Sequence, residues 1–261
     1  MANELKYEGG KINYEVVGSG FPVILIHGYL ENLTMWKSII PMLNNAYQFI
    51  SIDLPGHGNS DVIKLKDINT MAEVVDAVVT KLQLIKAHLV GHSMGGYVAL
   101  AYYDLYRGKC DKVCLFHSSA SEDGSIRKVD RDRAIKAIKI DFDKYVYLIT
   151  PNLFSKETFL YMKSEMIEFI LMALTTKPKG AIEALKAMKD RPNREELVAN
   201  NASSFYYLLG VFDQILPVDK MELELKSKPG IAFQYLSKAG HLGFLECPNE
   251  VAKFLNESFL N

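Results

Sequence analysis

The sequence predicts an α/β fold built on a mostly parallel sheet. Short apolar runs bounded by turn residues alternate with helix-length amphipathic segments, the rhythm of strand–helix–strand units. The run Phe21-Pro22-Val23-Ile24-Leu25-Ile26 is apolar on both faces, as a central strand covered on both sides should be. His27, Asp53, Ser93 and Ser118 all fall at or just past the ends of such runs, where sites in parallel sheets lie.

Leu5 to Tyr7 and Lys11 to Val17 are strand-like pieces around Gly9-Gly10, a hairpin signal, and Gly18-Ser19-Gly20 is a second turn. After the strand ending at Ile26, a helix is expected from about Thr34 to Leu43. Tyr47 to Ile52 reads as a buried strand that runs into the turn-rich loop from Asp53 to Ser60, where Asp53 should hold its own turn. Asn69 or Thr70 is expected to cap a helix to about Leu82, with Ala72, Val75, Val78, Val79 and Leu82 on its apolar side. Ala87 to Val90 is the next strand, Tyr97 to Tyr106 a helix, and Lys112 to Phe116 a strand. From Ser121 to Asn200 no convincing strand appears. Ile135, Ile138, Phe142 and Tyr145 form one helical stripe, and Phe159, Met162, Met166, Phe169, Ile170 and Met172 a second. Ala181, Ala184, Leu185 and Met188 mark a third helix, from near Gly180 to a stop at Arg191-Pro192. The sheet resumes at Phe205 to Leu209 and Ile231 to Leu236, and Glu250 to Leu260 closes the chain as a helix after Pro248.

Composition narrows the function classes. With 261 residues, 49% hydrophobic and 23% charged, the chain can bury a large core. A net charge of −1 points to neither nucleic acid nor an anionic membrane. Met-Ala-Asn-Glu-Leu-Lys lacks a signal-peptide core, and the greasiest stretch, Met166 to Leu174, is too short to span a bilayer. Cys110, Cys114 and Cys247 are an odd number with no CxxC pair, so reduced thiols in a cytoplasmic protein are expected, with no metal site and no cofactor.

The stretch Gly91-His92-Ser93-Met94-Gly95-Gly96 joins a strand to a helix. Gly-x-Ser-x-Gly at such a turn sets a strained serine with its oxygen above the sheet edge. The Met94 N–H, at the helix N-terminus, points the same way and can hold an oxyanion.

Taken with their order and spacing, several further motifs make the chain resemble the α/β-hydrolase family over nearly its whole length. They are His27-Gly28, Asp53-Leu54-Pro55-Gly56-His57-Gly58, Gly210-x-x-Asp213-x-x-x-Pro217, Gly240-His241 and Glu246-x-Pro248. The resemblance implies an eight-stranded, mostly parallel sheet with helices on both faces and a helical cap inserted after the sixth strand. Residues 1–120 and 201–261 would be the core and 121–200 the cap. It is similar to the small carboxylesterase-like branch, which also holds thioesterases, lactonases, carbon–carbon bond hydrolases and perhydrolases.

A serine hydroxyl needs a base that takes its proton, and the base needs an orienting carboxylate. The order Ser93, Asp213, His241 is the one this fold uses. His27, His57 and His92 belong to the loops and read as structural; His88 and His117 lie in or at the end of strands and read as core histidines. Glu122 and Asp123 stand where some family members carry the acid, although a solvated start of the cap is their blander reading. The resemblance gives Tyr29 N–H as the second oxyanion donor. It also places the cap over Ser93, so Phe142, Tyr145, Phe154, Met162 and Met166 are expected to line the substrate pocket, with Leu30, Phe212 and Leu242. The expected activity is hydrolysis of a small to medium, mainly apolar ester, thioester or lactone through an acyl-enzyme. Charged substrates should be poor, because the lid offers no evident ionic clamp. A ligand-sensing protein with an intact triad is the alternative from another class.

Overall fold

The computed structural model describes residues 2–226 and 228–261. Eight strands form one sheet in the order β1-β2-β4-β3-β5-β6-β7-β8. They are β1 (Ala2–Tyr7), β2 (Gly10–Gly18), β3 (Phe21–Ile26), β4 (Tyr47–Ile52), β5 (Ala87–His92), β6 (Cys110–Phe116), β7 (Phe205–Gly210) and β8 (Ala232–Leu236). The β1–β2 hairpin is antiparallel and β2 runs antiparallel to β4; every pairing from β4 to β8 is parallel. The strands at the centre have no exposed face. Val23, Ile24, Leu25 and Ile26 are fully buried. Each such side chain stabilises the fold by about 1.5–3 kcal/mol relative to exposure.

Two helices flank the region of the elbow. Helix α1 (Ile68–Lys81) begins at Asp67, whose carboxylate accepts from Asn69 N at 2.8 Å and Thr70 N at 3.2 Å. The cap is therefore Asp67 and not Asn69 or Thr70, because its extended backbone and short carboxylate reach both free donors. Helix α2 (Met94–Leu105) follows β5 directly and packs on α1. The helix expected from Thr34 to Leu43 is absent. Two 3₁₀ turns, Leu33–Trp36 and Ile40–Met42, take its place. Pro41 lacks an N–H and disfavours the helical conformation of Ile40 before it, so a continuous α-helix does not form there.

Between β6 and β7 lie α3 (Ser125–Ile140), α4 (Phe142–Ile149), α5 (Lys163–Ala173), α6 (Pro178–Lys189) and α7 (Glu195–Ala199), with no strand among the described residues from 121 to 200. The stripe read across Ile135 to Tyr145 is broken in two at Asp141. Its backbone is extended and its carboxylate accepts from Lys144 N at 2.9 Å, capping α4. Phe159 sits in a separate 3₁₀ turn, Thr158–Leu160, ahead of α5. After β7, α8 (Val218–Lys226) was not foreseen. Short α9 (Gly243–Glu246) and α10 (Pro248–Phe254) end the chain, and a π-helical turn, Leu255–Phe259, replaces the last part of the expected closing helix. The three cysteines are free and buried. No helix among the described residues is long and apolar enough to cross a membrane.

Candidate active site

Ser93 lies between the end of β5 and the first residue of α2, with φ +49° and ψ −113°. That backbone region favours glycine, so the serine is held under strain by its neighbours. The neighbours are bare: a Cβ on Gly95 would collide with the carbonyl oxygens of Ile26 and His27 on β3 and its loop. Ser93 N donates to Phe116 O at 2.8 Å, and Ser118 Oγ donates to Ser93 O at 2.8 Å, which fixes the elbow against β6.

From there a chain of hydrogen bonds runs through two distant loops. Ser93 Oγ lies 2.8 Å from His241 Nε2, and His241 Nδ1 lies 2.7 Å from Asp213 Oδ2. A carboxylate only accepts, so His241 donates from Nδ1 and presents an unprotonated Nε2 to the serine hydroxyl. Asp213 is almost fully buried, and its Oδ1 accepts from Ile215 N and Leu216 N. Burial alone would raise its pKa, but the imidazoles of His241 and His117 outweigh burial and hold it far below the usual carboxylate range. The arrangement can move a proton from Ser93 Oγ to His241 Nε2 while Asp213 stabilises the resulting imidazolium.

The other histidines divide by partner. His27 donates from Nδ1 to Gly28 O and accepts Leu54 N–H at Nε2, and burial lowers its pKa to about 4, so it is a neutral brace between loops. His57 is likewise buried, with its pKa down to about 3 and its Nδ1 3.1 Å from Pro55 O. His88 packs among the rings of Phe21, Tyr47 and Phe259. His117 does more than fill the core. At φ +46° its Nδ1 lies 3.2 Å from Asp213 Oδ2, a second imidazole on the same carboxylate; burial lowers its pKa to about 4. His92 faces two acceptors, Glu31 Oε2 at 2.9 Å and the His241 carbonyl at 2.9 Å. Burial would lower its pKa, but Glu31 raises it overall, and His92 in turn lowers that of Glu31 against burial. An imidazolium satisfies both acceptors at once, so a buried ion pair joins the loop at Gly28, whose N–H also donates to Glu31, to the elbow and to the loop of His241.

Asp53 accepts from Leu33 N, Asn59 N and Asn13 Nδ2, holding its turn as expected. Asp123 does not face His241; it pairs with Arg131 at 3.0 Å and Arg191 at 2.6 Å. Glu122 is exposed. Glu246, which the motif reading left without a role, brackets the histidine. Its carboxylate accepts from Gly240 N at 2.8 Å and Leu242 N at 3.3 Å, and from Ser155 N at 2.8 Å and the Thr158 hydroxyl. It thereby ties the His241 loop to the segment between α4 and α5.

Ser93 and His241 open into a cavity of about 410 Å³. Tyr29 lines it too, and Met94 opens α2, where a backbone N–H has no intrahelical acceptor. Ala134 and Ala137 of α3, Ile149 of α4, Leu185 and Met188 of α6, Leu153 and Ile215 give it apolar walls. Of the expected lining residues only Tyr145 is there. Leu30, Phe154 and Leu242 are fully buried in the core, Phe142 is nearly so, Met162 and Met166 pack against the core from outside the cavity wall, and Phe212 is half exposed at the surface. No evident ionic clamp is expected in the lid, yet charged side chains of α3 reach the cavity. Arg127, Asp130, Arg131 and Arg133, one face of α3, line the cavity. A single charged helix gives no sequence signal of which face turns inward.

Residues 22–248 match the sequence model of the alpha/beta hydrolase fold family, and the chain belongs to that family. It is 31% identical over 245 residues to the AB hydrolase superfamily protein YisY of Bacillus subtilis (strain 168), covering 89% of each chain. It is 25% identical over 237 residues to the pimeloyl-[acyl-carrier protein] methyl ester esterase of Legionella pneumophila (strain Corby), covering 90% of this chain and 93% of that one. A thermophilic esterase from Thermogutta terrifontis superposes with a TM-score of 0.90 at 29% identity, covering 98% of this chain and 96% of that one.

Proposed function

We propose that the protein is a serine esterase that works through an acyl-enzyme on Ser93. The observation that carries this reading is the continuous hydrogen-bond chain Ser93 Oγ–His241 Nε2, His241 Nδ1–Asp213 Oδ2, opening into a cavity. Ser93 Oγ attacks the ester carbonyl as its proton passes to His241 Nε2. The carbonyl oxygen, now anionic, is held by the N–H groups of Tyr29 and Met94. Collapse expels the alcohol, which takes the proton from His241. Water then attacks the acyl-enzyme by the same route, giving the acid and free Ser93. The esterase names of the Thermogutta and Legionella relatives support an ester as the substrate class.

The helical segment 121–200 acts as a cap in this reading, and the apolar walls from α3, α4 and α6 take the acyl group. Each further CH₂ buried there should favour binding by about 0.8 kcal/mol until the space is full. A series of straight-chain acyl esters with one leaving group tests this. kcat/KM should climb over the first few carbons and then fall, and Ser93→Ala should abolish turnover throughout. Turnover by Ser93→Ala equal to wild type would overturn the reading.

A further inference from the structure

The cavity wall carries positive charge that the protein leaves unmatched. Asp123 is one buried carboxylate serving two guanidiniums, Arg131 through Nε and Arg191 through Nη1. Arg191 is held at both amino groups: Nη1 donates to Met188 O and Nη2 to Ser121 O, and its plane stacks on Tyr97, 3.8 Å from the ring centre, while its Nε has no partner among the described residues. Arg131 is not held in this way. Its side chain is 12% exposed, and its terminal amino groups have no hydrogen-bond partner among the described residues. One turn earlier on α3, Arg127 lines the cavity with no ion-pair partner among them. The acidic groups on the wall are already engaged, Asp130 by Arg133 at 3.0 Å and Glu31 by His92. Guanidinium donors and an uncompensated positive charge therefore face the same space as Ser93. Keeping a guanidinium desolvated without a second acceptor costs free energy that an anion in the cavity would recover.

We propose that the substrate is an ester that also carries a carboxylate, held by Arg131 and Arg127 while Ser93 attacks the ester carbonyl. This deepens the serine esterase reading and rests on it. Arginine suits the task because its planar fork binds a carboxylate through two parallel N–H donors. The apolar walls then hold the short chain between the two ends.

The test compares monomethyl glutarate with its neutral isostere, methyl 4-carbamoylbutanoate. Wild type should favour the carboxylate by about tenfold in kcat/KM, and Arg127→Gln and Arg131→Gln should each bring that ratio towards one. Arg127 has no ion-pair partner to lose, so its variant remains informative if Arg131→Gln fails to fold. A wild-type ratio of one or below, or a ratio unchanged in Arg127→Gln, would overturn the proposal. If neither ester turns over, protection of Ser93 from a fluorophosphonate probe decides: glutarate should protect better than glutaramide, and equal or weaker protection overturns the subsite. Failure of the probe to label Ser93 at all is a different result, which removes the esterase reading itself and this proposal with it.

Discussion

Asp213 is held from two sides. Its two oxygens take imidazole N–H groups on one side and backbone N–H groups on the other. Asp213→Asn should keep the fold but present an amide NH₂ to one of those donors, favouring the wrong His241 tautomer. kcat on an aryl ester is expected to fall by about 10⁴-fold with an unchanged melting curve. The Glu31–His92 pair makes a second prediction, on stability. His92 has a raised pKa, so its contribution is complete below the ordinary imidazole value of 6.5 and is lost as pH rises through the raised one. Glu31 has a lowered pKa, so its contribution is complete above the ordinary 4.5 and is lost as pH falls through the lowered one. Stability from the pair is therefore greatest between those ordinary values. Glu31→Gln should cost about 3 kcal/mol in denaturant titrations near pH 6 and less at alkaline pH. An equal loss at both pH values would mean that packing rather than charge joins these residues.

At the scale of elements, the elbow depends on backbone contact between α2 and the loop after β3. Gly95→Ala puts a Cβ against the Ile26 carbonyl, which cannot rotate away as a side chain could. A loss of about 1–3 kcal/mol in unfolding free energy is expected, with activity reduced because Ser93 moves too. The loops that converge here were legible because glycine and histidine interrupt continuous apolar strands at His27, Ser93 and His241. The wall opposite was not. Hydrophobic spacing marks Phe142 and Phe154 as large and apolar, and the fold uses both as packing. The cavity is faced instead by small and charged residues of α3, such as Ala134 and Arg131, which resemble an ordinary solvated surface in sequence. His117 and Glu246 were missed for a related reason. Their roles arise from contacts with Asp213 and with Ser155 over long sequence separations, which no local pattern encodes.

Across the whole molecule the labour divides between the sheet and the helical insertion. The sheet sets Ser93, Asp213 and His241 at the ends of β5, β7 and β8, and the insertion supplies most of the wall that any acyl group would meet. Glu246 joins the two, since it grips both the loop of His241 and the turn at Ser155 and Thr158. In the proposed reading, reaction geometry and substrate choice would be carried by different parts of the chain, linked at the base. The central claim is that Ser93 is a nucleophile activated by His241. Mass spectrometry of the intact protein after exposure to a fluorophosphonate tests it most directly. Wild type should gain the mass of one probe, mapped to Ser93, and both Ser93→Ala and His241→Ala should remain unlabelled on the same timescale. Labelling that persists in Ser93→Ala, or maps to another residue, would contradict it.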